Sequence, residues 1–289
     1  MSCSPHIAYG NAYNSCKIKA QPLISSVTLQ TTQPSTQQTH ALTRYFRVAR
    51  VMFHTCVGLV VASVLFPFAG NQLKTRLIQW WCTGLLAAFN IQVRKTGAVP
   101  NANNVLTGTM FVANHISWSD IHALNSVIPL RFIAKSEIKN WPVFGFLVSK
   151  ANTLFIDRSK KQDAKRTIEI AHSSLQDGDN LCFFPEGTTT DGTEIKPFKS
   201  SLIQAAILAK SSIYPVALHY PNTDGSINTE VAYAGETTLA ESMRNMLLQK
   251  KPVIELHFLA PITPAEYAAM DRRALTLHIE GLIRRQLMR

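Results

Sequence analysis

From Val105 to the C-terminus, short apolar runs rich in β-branched and aromatic residues alternate with longer stretches of helical character. The runs fall at 105–113, 130–134, 153–156, 180–184, 213–218, 229–234 and 253–259. Helical stretches lie between or after them, near 119–126, 161–176, 199–211, 238–249 and 264–288. This alternation predicts an α/β fold, a mixed, largely parallel sheet flanked by helices, because parallel strands need the crossovers that helices supply. No repeat or separating linker interrupts the pattern after residue 100, so a single α/β domain is expected over 96–289. The last stretch puts Leu275, Ile279, Leu282 and Gln286 on one face and Arg272, Arg273, Arg284 and Arg285 elsewhere. That is the pattern of a helix docked on a core with a solvated basic side; a membrane-surface role is the other reading.

The N-terminal third obeys different rules. Val51 to Gly70 is an uncharged run of 20 residues, preceded by Arg44, Arg47 and Arg50. As a helix it would cover roughly 30 Å, enough for a bilayer core, although a buried core helix fits the same residues. A second apolar segment, about 77–91, carries Trp80-Trp81 and is too short to span comfortably; tandem Trp favours the water–lipid interface. We expect 44–95 to form a pair of membrane-associated helices, either one span plus one interfacial helix or a hairpin dipping into one leaflet. Basic residues flank both sides of the first run, which leaves orientation open. Residues 1–43 are polar around Gln30–Thr39 and lack the apolar content to repay their ordering entropy, so a disordered extension is expected there. The extension is acidic-poor and rich in Ser and Thr, as transit peptides are, but has no Arg before Arg44 and no helical stripe.

Charge is as uneven as hydropathy. Residues 1–119 carry nine Lys and Arg and no Asp or Glu, whereas from Asp120 onward 20 basic residues face 18 acidic ones. Basic charge beside long apolar runs suits anionic lipid head groups. No stacking aromatics interleave with it in the manner of nucleic-acid binders, so no nucleic-acid partner is expected. The five cysteines (3, 16, 56, 82 and 182) show no paired spacing, which argues for free thiols and against a disulfide framework or a zinc site.

Chemistry concentrates in two segments. Asn114-His115-Ile116-Ser117-Trp118-Ser119-Asp120 follows the apolar strand 105–113, and Phe184-Pro185-Glu186-Gly187-Thr188 follows the strand 181–184. Residues five apart on one regular helix point about 140° apart, so His115 and Asp120 meet only if His115 lies in a loop and Asp120 in the first helical turn. A neutral imidazole can then accept a proton while the carboxylate on its other nitrogen fixes the tautomer. Ser117-x-x-Asp120 also reads as a capping box, and the two readings are compatible. Glu186 sits in a turn tightened by Pro and Gly at a strand's carboxyl end, where open α/β sheets hold ligands; an ordinary exposed turn is the plainer reading. Arg158, closing Phe155-Ile156-Asp157-Arg158, has the forked guanidinium that suits phosphate, or it pairs with Asp157 or Asp163. Lys135, Lys196 and Lys199 add positive charge near an anionic ligand or are solvated. No serine or cysteine stands at nucleophile-elbow spacing, so base-assisted attack by a substrate hydroxyl fits better than a covalent enzyme intermediate.

In order, these blocks resemble the glycerolipid acyltransferase family, best known for the 1-acyl-glycerol-3-phosphate acyltransferases. The blocks are Asn114-His115 through Asp120, Phe155–Arg158, Phe184–Thr188 and Tyr214-Pro215-Val216, with supporting similarity at 134–137 and 196–199. The resemblance covers roughly 75–262. It implies an α/β acyltransferase domain carried on an N-terminal membrane-embedded helix pair, bound at the membrane with its active site facing the cytoplasm. The implied reaction moves a fatty acyl group from acyl-CoA or acyl-carrier protein to the free hydroxyl of a lysophospholipid, foremost lysophosphatidic acid. In that reaction His115 deprotonates the acceptor and Asp120 orients His115. Arg158 binds the acceptor phosphate, Glu186 with Gly187 positions its glycerol region, Pro215 helps to shape the acyl side, and Lys135 and Thr188 are expected among the substrate-binding residues. The implied reaction asks for no metal or resident cofactor. A different acceptor, such as lyso-ornithine lipid, is the alternative within the class, and a catalytically silent membrane-binding scaffold the alternative outside it. Three departures surround the acceptor loops: Asn152 and Ser201 replace frequent glycines, and Thr189-Thr190-Asp191-Gly192 replaces a frequent basic continuation.

Overall fold

The computed structural model of the chain describes residues 39–100, 106–156 and 161–289. It opens with two helices: α1 (Ala41–Val60), continued as a π-helix over Val61–Leu65, and α2 (Asn71–Phe89). Next come β1 (Gln92–Gly97), β2 (Met110–Ala113), α3 (Ser119–Val127), β3 (Arg131–Lys135), α4 (Phe144–Lys150), β4 (Leu154–Ile156) and α5 (Lys161–Gln176). The chain finishes with β5 (Leu181–Phe183), α6 (Ile203–Ala209), β6 (Ile213–His219), α7 (Leu239–Leu248), β7 (Val253–Phe258) and α8 (Arg272–Leu287). The seven described strands form one sheet in the order β1-β7-β6-β2-β5-β3-β4. Every neighbouring pair is parallel except β6 and β7, so the sheet is mixed and mostly parallel.

Strand β2 lies at the centre, and all four of its residues are wholly buried, as expected of a strand covered on both faces. Phe111 and Ala113 face a core that includes Phe89 of α2, Leu124 of α3 and Met246 of α7. Met110 and Val112 face the opposite core, with Leu175 of α5, Ile203 of α6 and Ile279 of α8. The C-terminal helix is therefore docked through Leu275, Thr276, Ile279 and Ile283. Full burial of each such aliphatic or aromatic side chain contributes roughly 1.5–3 kcal/mol.

Helix α1 begins at Ala41, ahead of the expected boundary at residue 44, and takes in Arg44, Arg47 and Arg50 rather than following them. Ala41–Leu65 is long and apolar enough to cross a membrane by length and composition. One side meets the rest of the fold through Arg47, Val51, Gly58 and Ala62. Leu42, Phe46, Met52, Phe53, Val60 and Val64 are exposed on the other side. The Arg47 guanidinium donates to the carbonyls of Gln249 and Lys250 just past α7, each at 2.7 Å, and the hydroxyl of Thr39 reaches the carbonyl of Leu247.

Three expectations change. Strand β1 carries no apolar run, because an edge strand facing water can be polar; Arg94 and Lys95 lie on it, and the sheet starts at Gln92 rather than 96. The run 229–234 is not a strand but a 3₁₀ turn (Thr229–Val231) and a loop whose backbone groups serve a neighbouring loop. A 3₁₀ turn (Ser136–Asn140) and α4 fill a connection with no strong periodic pattern. The expected disordered extension lies, up to residue 38, outside the described residues.

Candidate active site

The parallel register pairs Met110, Phe111 and Val112 with Leu181, Cys182 and Phe183. Continuing past the strand ends, it brings His115 beside Glu186, whose Oε1 accepts the His115 backbone N–H at 2.8 Å. His115 thus stands in the loop after β2, and Asp120 lies in the first turn of α3. His115 Nδ1 donates to Asp120 Oδ2 at 2.8 Å. The same oxygen accepts the backbone N–H groups of Ile116 at 2.7 Å and Ser117 at 2.9 Å, and the hydroxyl of Tyr220 donates to Oδ1. Asp120 is wholly buried, so these four donors replace the water it has lost. The capping box forms only by half: Ser117 gives its N–H to Asp120, but its hydroxyl donates to the carbonyl of Val231.

The His115 loop is braced from every side. Asn114 exchanges two hydrogen bonds with the backbone of Leu218, at 3.0 and 2.7 Å, tying the loop to the end of β6. Thr190 N–H donates to the His115 carbonyl and Tyr233 N–H to the Ile116 carbonyl, both at 2.9 Å. Phe184 stacks on the imidazole with ring centres 3.8 Å apart and planes within 7° of parallel. With Nδ1 held by a carboxylate, Nε2 is the nitrogen left to take up a proton. Such an imidazole can activate a hydroxyl, with the carboxylate stabilising the imidazolium that results.

Glu186 stands in the expected turn after β5. Its Oε2 accepts the Lys196 N–H at 2.9 Å, so backbone amides occupy both oxygens, and the side chain is buried outside the cavity wall. Burial pushes its pKa above the usual carboxylate range, and the two amides offset part of that effect. Gly187 follows with φ at 75°, a left-handed turn that glycine adopts without strain. Asn152 has φ at 60°, which explains why a frequent glycine can be replaced there by asparagine.

In front of His115 lies a cavity of about 470 Å³. Its walls come from α1 and α2 (Gly58, Ala62, Ile78, Trp81), from α3 (Trp118, Ile121), from β3, and from α4 (Phe144, Leu147). Lys135, Gly187 and Thr188 line it as well, so the structure brings those predicted residues to His115. Pro215 does not join them: it is buried in β6 between Tyr214 and Val216 and does not reach the cavity. The side chains of Lys196 and Lys199 are exposed. Arg158 lies outside the described residues. Among the described residues no group of three His, Cys, Asp or Glu side chains gathers as a metal site.

Sequence reasoning missed Tyr220, Phe184 as a stacking partner, and the carbonyl of Val231. Tyr220 sits 100 residues from Asp120, and no local spacing signals such a contact.

Residues 90–219 match a family model described as Acyltransferase. The lyso-ornithine lipid O-acyltransferase of Pseudomonas aeruginosa is 34% identical over 246 residues, covering 81% of this chain and 93% of the relative. The 1-acyl-sn-glycerol-3-phosphate acyltransferase of Neisseria meningitidis serogroup B is 37% identical over 243 residues, covering 84% and 91%. In fold, the chain is similar to the crystal structure of the 1-acyl-sn-glycerophosphate acyltransferase of Thermotoga maritima, with a TM-score of 0.57 and 18% identity. That likeness covers 84% of this chain and 96% of the other.

Proposed function

This chain belongs to the glycerolipid acyltransferase family, and on that footing we propose that it acylates lysophosphatidic acid to phosphatidic acid, with acyl-CoA or acyl-carrier protein as donor. The observation that carries the reading is the imidazole held by a buried carboxylate at the mouth of an apolar cavity. His115 Nε2 takes the proton of the acceptor hydroxyl as its oxygen attacks the thioester carbonyl. The tetrahedral oxyanion then collapses, the carbon–sulfur bond breaks, and the imidazolium returns its proton to the leaving thiolate. Asp120 holds the ring and its tautomer. Glu186 positions the His115 loop through the two amides that it accepts, rather than touching the acceptor. Lys135, Thr188 and Arg158 are assigned to the acceptor's phosphate side, and the apolar cavity to the donor's acyl chain.

A second acceptor is favoured by the Pseudomonas aeruginosa relative, a lyso-ornithine lipid O-acyltransferase. Acceptor-dependent thiol release from long-chain acyl-CoA decides between them, run with lysophosphatidic acid and with lyso-ornithine lipid. Absence of release with both acceptors from acyl-CoA and from acyl-carrier protein alike, or an undiminished rate in His115→Ala, would overturn the reading. Release without any acceptor would point to a thioester hydrolase.

At the membrane we assign α1 and α2 to one leaflet, with the active site on the cytoplasmic side. Arg47 near one end of α1 is bonded to the residues after α7, while Gly58 and Ala62 near the other end line the cavity. A helix attached at both ends cannot carry one of them across the bilayer alone. Its exposed apolar side suits insertion beside the groove, and the basic residues of its first turns suit anionic head groups.

A further inference from the structure

Two residues on the α3 wall of the apolar cavity each carry a polar atom with no partner among the described residues. His122 and Asn125 both line it, three residues apart on one helix and therefore neighbours on the same face. His122 Nδ1 lies 3.2 Å from the carbonyl of Trp118, which can only accept, so Nδ1 carries the hydrogen. Burial lowers the ring's pKa to about 4, so the imidazole is neutral and Nε2 is left as an acceptor. Asn125 is 5% exposed, and its Oδ1 accepts the Leu130 N–H at 2.9 Å, which identifies the remaining amide atom as Nδ2, a donor. Among the described residues only Trp118 Nε1 and Asn222 Oδ1 are sealed off without a partner. His122 Nε2 and Asn125 Nδ2, unpartnered among the described residues, are therefore not sealed off, and the cavity is the space that both residues line.

An unsubstituted hydrocarbon laid along this wall would strip both atoms of water and return nothing, which is costly. A carbonyl would answer the Asn125 donor and leave the His122 acceptor bare. A hydroxyl answers both, because it accepts and donates at once. We propose that His122 and Asn125 form a hydroxyl-recognition site within the acyl groove, so that the enzyme prefers a donor whose acyl chain carries a hydroxyl at the depth of α3. This specificity rests on the acyl-transfer reading above.

The test is competition, in wild-type membranes with a saturating acceptor, between an unsubstituted acyl-CoA and hydroxyacyl-CoAs of equal length with the hydroxyl moved along the chain. One hydroxyl position should be preferred by about tenfold in kcat/KM, the worth of a hydrogen-bond pair, and His122→Phe should remove most of that preference. Preference for the unsubstituted chain over every hydroxylated one would overturn the inference, with no variant required. So would a preference that survives in His122→Phe, as expected if water alone occupies the two atoms. Absence of acceptor-dependent release from all of these donors, offered both as acyl-CoA and on acyl-carrier protein, would instead refute the acyl-transfer reading, and the inference with it.

Discussion

Asp120 sets the geometry of the site, because it spends three of its four hydrogen bonds on the loop that holds His115 and the fourth on Tyr220. In Asp120→Asn the amide oxygen can still accept the three N–H groups while its NH₂ meets the Tyr220 hydroxyl, which can accept. The fold should survive, but the imidazolium loses its counter-charge. We expect kcat to fall by about 10²–10⁴ with the melting temperature little changed, measured by thiol release and thermal denaturation. Glu186→Gln should behave in the opposite way. One of its two backbone N–H partners would face an NH₂, costing about 1–3 kcal/mol of stability, read from urea unfolding. His122 supplies a pH test. The fold disfavours its protonation, so between pH 6.5 and about 4 the unfolded chain binds the proton and the native one does not. Stability is fully present above 6.5 and falls as pH drops through that window, by on the order of 2–3 kcal/mol. His122→Phe should abolish that share of the loss, measured as the difference between the two pH–stability curves.

Elements differ in how well local pattern announces them. Helices α5 and α8 and the buried strands β2 and β6 were legible, because each has one or two faces whose burial dictates the residue types. Strand β1 and the loop after Asn228 were not: an edge strand needs no apolar face, and an apolar loop can be spent on bracing another loop. Helix α1 combines both cases. Its hydropathy was plain, but its attachment through Arg47 was hidden, since a charged residue before an apolar run ordinarily reads as a solvated flank. Arg47→Ala should remove two hydrogen bonds from a charged group and loosen α1, at about 1.5–3 kcal/mol each. Limited proteolysis should then cut within 41–60 faster than in the wild type. Replacing Phe46, Met52 and Phe53 by serine should leave that protection intact and weaken binding to vesicles of anionic phospholipid, measured by co-sedimentation.

For the molecule as a whole, sequence determined what could be encoded locally. Alternating apolar runs specified an α/β sheet, the spacing of His115 and Asp120 specified a loop followed by a helical turn, and the basic, apolar N-terminal third specified a lipid environment. The ordered motifs also carried the family, because chemistry demands those residue types wherever the chain is read. Only the tertiary structure decided the rest. Strand register set Glu186 against the His115 backbone, and packing across the sheet delivered Tyr220 to Asp120. Helices α1 and α2 had to fold back before a cavity existed for His122 and Asn125 to line, and Pro215, read as part of the site, remained inside β6. The physical reason is separation along the chain. A spacing of a few residues fixes relative direction through backbone geometry alone. Contacts between residues 70 or 100 apart exist only once the core has closed and made one set of partners the lowest in free energy.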